Sequence, residues 1–301
     1  MTTPQLIALP HLAILDVTGD DAQSFLHAQV PSDIRTLNAE RAQISGWCTA
    51  KGRLLTTFVI WPIENGYRLV LATDVRDAIA KRLKMYVMRL KVQVTPATDV
   101  VYGLLSPATQ LNDHPLPTAE WQVAHIDQLT AIRLDSTRDL LTGPESELQA
   151  LAGTEATNNA VAWILSDIAQ GFPLVVQATS EHYVPQMVNL DKLGGVSFKK
   201  GCYPGQEVVA RSQFRGTLKR RAYIVSSQGP LQVGQEVFTA DEPEQACGTV
   251  ASAASSASTA NDNAWWGIVS MQISAATQAL HVGIERSTDQ DRKSTRLNSS
   301  H

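Results

Sequence analysis

The sequence predicts an α+β fold that ends in a small all-β module. Between residues 12 and 169, segments with helical periodicity alternate with short apolar runs of strand length. After Arg221 only short apolar runs and turn residues follow, a pattern typical of a compact β-barrel. The 301 residues, 44% of them hydrophobic and 18% charged, are enough for two or three domains with a sizeable core.

The first third of the chain predicts strands that alternate with two amphipathic helices. In the first helix, Ala22, Phe25, Leu26 and Val30 fall on one face. Turns containing Gly52 and Gly66 separate the middle strands. The predicted strands are 12–17, 42–48, 53–61, 67–72 and 91–95, and the predicted helices are 18–30 and 74–90.

The remainder predicts further strands near 101–105 and 129–135 and a helix over 158–169 that Gly171 and Pro173 end. The low-complexity stretch 251–263, ASAASSASTANDN, predicts a flexible hairpin loop inside the C-terminal module. Residues 288–301 have no apolar periodicity, so we expect a disordered tail, a non-native scar of cloning or sequence assembly.

Charge and cysteine content limit the function classes. With 25 basic and 29 acidic residues the net charge is −4, which gives no global sign of nucleic-acid binding. Cys48, Cys202 and Cys247 are far apart in sequence and form no CxxC pair. The sequence therefore predicts neither a disulfide framework nor a self-contained metal site.

The N-terminal sequence bears on location. MTTPQLIALPHLAILDV has neither a positively charged start nor a small-residue cleavage site, so no signal peptide is predicted. The longest apolar stretch, 54–63, is too short to span a bilayer. We therefore expect a cytoplasmic protein.

One segment departs from the acidic average. Residues 199–221 contain seven basic residues against one acid, Glu207. Gly201 and Gly205 permit a tight turn around Cys202, and Pro204 stiffens it. Nearby cations favour a thiolate and would lower the pKa of the Cys202 thiol; they are Lys199, Lys200 and Arg211. The alternative on spacing alone is a buried structural cysteine beside a solvated basic face.

The same segment carries a family resemblance. KGCYPGQE at 200–207 resembles the signature of the YgfZ family, although Pro204 stands where the family most often has Thr. The match continues through 209–211, 214–216 and 219–220, and upstream through 184–186, 189–190 and 194–199. Weaker similarity at 17–21, 50–52 and 163–173 extends it over about residues 10–285.

The resemblance implies a fold and a function. Members of this family resemble the T-protein of the glycine cleavage system in fold. It implies a folate-binding body of two interleaved subdomains over 1–221, with an inserted part at about 50–130, and a β-barrel over 222–287. It also implies binding of tetrahydrofolate or a derivative and a role in assembly or repair of iron–sulfur enzymes under oxidative stress. The implied partners are a tRNA methylthiotransferase and cluster-assembly factors, so any effect on tRNA would be indirect.

The resemblance assigns site residues as well. Cys202 corresponds to the functional thiol of the family, and Trp163 to a tryptophan that contacts folate. Leu12 stands where the family has a second ligand tryptophan, so that contact would be differently made. Lys51 and Arg53 are candidates for the anionic folate tail. The other candidate ligand residues belong to the signature: Lys200, Tyr203, Gln206, Glu207 and Arg211.

Two other functions stay open. A folate-dependent aminomethyl transferase is the first, but the stretch 52–60 lacks the aspartate that the T-protein uses after its hairpin. The second is an RNA-binding module built on 199–221, where only Tyr203 and Phe214 supply aromatic rings. We expect a monomer that binds no nucleic acid directly, associates with no membrane and holds no metal stably.

Overall fold

The computed structural model describes residues 6–105, 109–111, 114–152, 160–214, 216, 218–256, 264–282 and 296–300. The helices of this part of the chain are α1 (Ala22–Gln29), α2 (Thr73–Val87), α3 (Glu145–Ala152), α4 (Val161–Ala169) and α5 (Gln206–Phe214). The strands are β1 (Leu6–Ala8), β2 (Leu12–Thr18), β3 (Gln43–Cys48), β4 (Leu54–Ile63), β5 (Gly66–Ala72), β6 (Gln93–Pro96), β7 (Val100–Leu105), β8 (Gln110–Leu111), β9 (His114–Pro115), β10 (Val123–Ile126), β11 (Leu129–Asp135), β12 (Arg138–Gly143), β13 (Arg220–Ser227), β14 (Glu236–Thr239), β15 (Gly248–Ser255), β16 (Trp265–Gln272), β17 (Leu280–Val282) and β18 (Arg296–Ser300).

The first sheet has the antiparallel order β3-β4-β5-β2-β6. Helices α1 and α2 cover one of its faces, because their apolar stripes meet the alternate strand residues that point to that side. Phe25 and Leu26 of α1 and Val75 and Ile79 of α2 belong to this buried cluster. The opposite face of the sheet is apolar too, so it must pack against a second layer.

The second sheet has the order β1-β7-β12-β11-β10 and supplies that layer. Ile14 and Val70 of the first sheet lie in one buried cluster with Ile132 and Leu140 of the second. Trp163 of α4 completes this cluster at its edge. The two sheets therefore form a sandwich that α4 closes on one side.

The C-terminal module is a closed barrel with the strand order β13-β16-β15-β14-β17-β18. Its interior is a separate cluster that includes Val225, Val250 and Val269. A further cluster joins the barrel to the body, with Ile168 of α4, Ala251 of β15 and Ile268 of β16 among its members. The sandwich, α4 and the barrel thus surround a common centre.

The predicted fold class, a mixed α/β body followed by an all-β module, is confirmed. Each predicted strand and helix of the first third of the chain has a counterpart within a few residues of its predicted bounds. The strand predicted at 129–135 has those bounds in the structure. Helix α4 begins at Val161; the first residues of its predicted range, 158–159, lie outside the described residues.

Three segments differ from the sequence prediction. The low-complexity stretch 251–263 is not a loop throughout, because 251–255 belongs to β15 and pairs with β16. Small side chains gave no apolar signal there, although Ala251 and Ala254 are buried. The signature segment contains α5, which has only one buried residue, Val209. The prediction of a disordered tail is wrong for Arg296–Ser300, which pairs with β13 and β17 through backbone bonds that no apolar pattern reveals.

Candidate functional site

Cys202 lies in the loop that leads into α5, which we call the cysteine loop (residues 199–205). Its side chain is exposed, whereas Cys48 and Cys247 are buried. Burial raises the pKa of the Cys48 thiol to about 12 and also raises that of Cys247. Cys202 is therefore the thiol that reagents and partners can reach.

Lys200 anchors the cysteine loop rather than facing solvent. Its ammonium is buried and donates hydrogen bonds to three backbone carbonyls, those of His27, of Val30 at 2.5 Å and of Ser32 at 3.3 Å. These carbonyls lie at and beyond the C-terminal end of α1, where a cation is favoured by the helix dipole. Desolvation lowers the pKa of Lys200 to about 8, so the donating ammonium form still dominates at neutral pH. All three of its N–H donors have partners, which leaves none for the ligand contact predicted from sequence.

The cysteine loop also packs against the turn between β3 and β4. Gly205 has φ +81°, and a Cβ placed there would come within 2.5 Å of the Gly52 Cα and the Thr49 carbonyl oxygen. This close contact requires glycine at position 205 of the cysteine loop. The structure thus brings Lys51, an exposed residue of the turn, to the same surface as the cysteine loop. Arg53 next to it is held by a 2.6 Å bond from its guanidinium to the His182 carbonyl.

The remaining signature residues have different surroundings. Tyr203 is buried with its ring 5.3 Å from the Lys200 ammonium. Gln206 donates a 3.5 Å hydrogen bond to the Gly201 carbonyl, which closes the loop. Glu207 and Arg211 are exposed on α5. Of the predicted signature ligands, only these two are exposed acidic or basic side chains.

The two predicted aromatic-site positions, Leu12 and Trp163, do come together. Both line a small cavity of about 20 Å³ between the two sheets. Trp163 is only 1% exposed, and a Cβ on Gly103 of β7 would lie 2.2 Å from its ring. The indole is therefore a core side chain of which only a part borders the cavity.

Arg138 of β12 contacts the residues that surround Trp163. Its guanidinium lies 5.4 Å from the Trp163 ring centre and 5.5 Å from that of Phe172. It donates to Asp135 at 2.7 Å and to Asp167 of α4. Burial raises the pKa of Asp167 to about 6 in spite of the charge of Arg138. We call these residues the Trp163 cluster: Asp135, Arg138, Trp163, Asp167 and Phe172.

A wider cavity of about 360 Å³ adjoins the Trp163 cluster. Asp167 and Leu174 line both cavities, so the two spaces meet along α4. The wall of the wider cavity comes from the residue before β2 and the start of α2, from α4 and the segment after it, and from the barrel. Its lining residues are His11, Thr73, Asp74, Ile164, Asp167, Leu174, Val176, Val233, Ala251, Ser252 and Ala253.

The predicted site residues fall into two groups that the structure keeps apart. Leu12 and Trp163 border the smaller cavity and do not line the wider one, whereas none of the residues that line either cavity belongs to the cysteine loop, to α5 or to the turn that carries Lys51 and Arg53. The expectation that the basic segment surrounds the folate channel is thus not met by the lining of these two cavities. The described residues contain no group of three or more His, Cys, Asp or Glu side chains placed to hold a metal ion.

Sequence reasoning missed His11, Arg138 and Asp167. Asp167 had a usable signal, because it follows Trp163 by one helical turn and so lies on the same face of α4. Arg138 and His11 gave none, since the aromatic rings around Arg138 and most residues that line the cavity with His11 are far away in sequence. The small residues of β15 were hidden in a stretch interpreted as a loop.

No helix among the described residues has the length and apolar character that a membrane crossing requires. No protein-family model matches the chain. Over its full length the structure is similar to the glycine cleavage system aminomethyltransferase T from Bartonella henselae, with a TM-score of 0.68, 16% identity and coverage of 85% of that chain. This likeness establishes the T-protein fold.

Sequence relatives identify the family. The chain is 33% identical over 250 residues, or 81% of its length, to the tRNA-modifying protein YgfZ of Photobacterium profundum, and it covers 75% of that relative. It is also 33% identical over 222 residues, or 72% of its length, to the tRNA-modifying protein YgfZ of Vibrio vulnificus, of which it covers 68%. With such identity over most of both proteins, the chain belongs to the YgfZ family.

Proposed function

We propose that this protein binds a reduced folate of the tetrahydrofolate type and supports assembly or repair of iron–sulfur enzymes. Its effect on tRNA is then indirect, through a client such as a tRNA methylthiotransferase that depends on a cluster. The name of its relatives, tRNA-modifying proteins, supports a role in this process. The observation that carries the ligand part of the proposal is the cavity at the junction of the sandwich, α4 and the barrel.

The residues of this cavity fit a folate ring. Ile164, Leu174 and Val176 offer apolar contact to a flat heterocycle, and the Asp167 carboxylate can accept hydrogen bonds from ring N–H groups. Neither lysine nor arginine lines the cavity among the described residues. The anionic tail of the folate would therefore lie towards solvent. When bound, a reduced folate supplies a carrier for one-carbon units.

The thiol part of the proposal rests on the exposure of Cys202. A structural cysteine would be buried like Cys48 and Cys247, whereas Cys202 stands on a loop held by Lys200 and Gly205. Such a loop presents the thiol at a fixed surface position. Partners that carry iron–sulfur clusters, and other cluster-assembly factors, would meet the protein there, with the cluster as cargo.

A growth-rescue experiment tests the functional role of the Cys202 thiol. In a host that lacks its own family member, grown at high oxygen, the wild-type protein should restore growth and the activity of iron–sulfur enzymes. Cys202→Ser should fold normally and fail to restore either. Cys247→Ala is the matched control and should rescue, provided that circular dichroism shows it folded. Full rescue by Cys202→Ser would remove the thiol from the proposal.

Calorimetry tests whether tetrahydrofolate binds in the wider cavity. Tetrahydrofolate should bind the wild-type protein saturably, and Ala253→Leu, which adds bulk to the barrel wall of the cavity, should weaken binding at least about tenfold. Ala240→Leu, an exposed position at the end of β14, is the control and should bind as the wild type does. Equal affinity in Ala253→Leu would place the ligand elsewhere.

A folate-dependent one-carbon transferase remains the second candidate, because Asp167 places a carboxyl group with a pKa near 6 at the cavity wall. A group with such a pKa is suited to general acid–base catalysis near neutral pH. Release of formaldehyde from a methylamine donor in the presence of tetrahydrofolate would favour this function. Loss of that turnover in Asp167→Asn, with folding retained, would assign the step to the carboxyl group. Absence of turnover in the wild type leaves the maturation role as the conclusion.

A further inference from the structure

His11 introduces a polar atom into the wider cavity. It precedes β2 and lines the cavity together with residues of α4 and the barrel. Its backbone carbonyl accepts a hydrogen bond of 2.9 Å from the Thr73 amide, which fixes the residue against the start of α2. Its side-chain Nε2 is buried and has no hydrogen-bond partner within the described residues.

An unpartnered buried nitrogen needs an explanation. A buried polar group without a partner bears its full desolvation penalty, and most buried polar groups in proteins are satisfied. Burial lowers the pKa of His11, so the imidazole is neutral near pH 7 and offers one donor and one acceptor. The carboxylates of Asp74 and Asp167 are the charged groups that line the same cavity. Asp74 already accepts a 3.0 Å bond from the Gln177 amide.

The strand that brings the barrel to this cavity is irregular where it lines the cavity. The register between β15 and β16 shifts between Val250 and Ser252, so Ala251 is an extra residue in the strand. Such bulges leave the extra residue outside the ladder and occur beside binding sites. Ala251, Ser252 and Ala253 all line the cavity. Small side chains on this wall leave room for a flat ring between the barrel and His11.

We infer that His11 is a specificity-determining residue of the cavity, whose Nε2 forms a hydrogen bond with the edge of a bound nitrogen heterocycle. Asp167 would accept a hydrogen bond from another position of the same ring. Two such groups on different walls select a ring with both donor and acceptor atoms on its periphery. This inference deepens the proposed function and rests on it, because the heterocycle is the pterin of the folate.

The test compares binding of 5-formyltetrahydrofolate, a stable reduced folate, by calorimetry in wild type, His11→Phe and His11→Gln. His11→Phe keeps a flat ring without the nitrogen and should weaken binding about 5- to 10-fold, the loss expected for one hydrogen bond. His11→Gln retains a polar group and should bind more tightly than His11→Phe. His125→Phe, an exposed histidine on β10, is the control and should leave the affinity unchanged.

A second measurement needs no substitution at the cavity. In wild-type protein labelled at histidine, NMR signals of the His11 ring should shift on titration with 5-formyltetrahydrofolate, while those of His125 should not. Binding undiminished in His11→Phe together with unmoved His11 signals would overturn the inference and leave the proposed function intact. Failure of the wild type to bind any reduced folate would instead overturn the proposed ligand, and the assignment of His11 with it.

Discussion

The cysteine loop and the Trp163 cluster were both singled out from sequence, yet they are built in opposite ways. In the loop the charged side chain is anchored and the reactive one is free, since Lys200 is bonded to the end of α1 while Cys202 is exposed. In the cluster every member is packed, with Arg138 between two aromatic rings and bound to two carboxylates. Substitutions in the loop should therefore separate function from stability, and substitutions in the cluster should not.

The largest expected effect is on stability, at Trp163. Trp163→Ala should lower the free energy of unfolding by about 3–5 kcal/mol, because a buried aromatic side chain is replaced by a cavity. Trp266→Ala, a partly exposed tryptophan on β16, should cost far less. Urea denaturation followed by circular dichroism measures both. A loss below about 1 kcal/mol at Trp163 would mean that the side chain serves a ligand rather than the core.

Alkylation rates compare the loop with the buried core directly. At pH 7.5, Cys202 should react with iodoacetamide more than about 100-fold faster than Cys48, because only an accessible thiolate is a nucleophile. The buried Cys48 thiol, with a pKa of about 12, hardly ionises at that pH. Mass spectrometry of quenched samples gives the rate at each site. A slower reaction of Cys202 than of Cys48 and Cys247 would contradict a functional role for the Cys202 thiol.

Substitution of Lys200 tests whether a side chain of the cysteine loop stabilises the fold. Lys200→Met keeps the aliphatic part of the side chain but removes three hydrogen bonds to carbonyls, which should lower the free energy of unfolding by about 1–3 kcal/mol. Lys199→Met, at the exposed neighbouring position, is the matched control and should change it by less than about 0.5 kcal/mol. Equal effects of the two substitutions, measured by urea denaturation, would contradict the anchoring role.

The anchoring role of Lys200 shows what sequence could not supply. Its partners precede it by about 170 positions, so a run of basic residues predicted a ligand site where one cation is structural. By contrast, local periodicity was enough for β2 to β5 and for α1, α2 and α4, because each buries a regular apolar stripe. The family resemblance predicted the fold, which is confirmed, and singled out Cys202, whose functional role stays a prediction. The cavity stayed hidden because His11, Asp167 and the small residues of β15 meet only in three dimensions.

Removal of the C-terminal strand should lower the stability less than the substitutions above do. Removal of residues 288–301 takes away β18, which pairs with β13 and β17 through backbone positions such as Ser226↔Asn298 and Leu280↔Leu297. Each net hydrogen bond contributes about 1 kcal/mol, but fixing the backbone of each residue costs about 1–2 kcal/mol, so the two terms nearly cancel over five residues. We expect the midpoint of thermal unfolding to fall by less than about 2 °C, a change well below that of Trp163→Ala. Differential scanning calorimetry of the full chain and the truncated chain decides the point. A fall of about 8 °C or more would show that closure of the barrel by β18 matters as much to stability as the Trp163 cluster does.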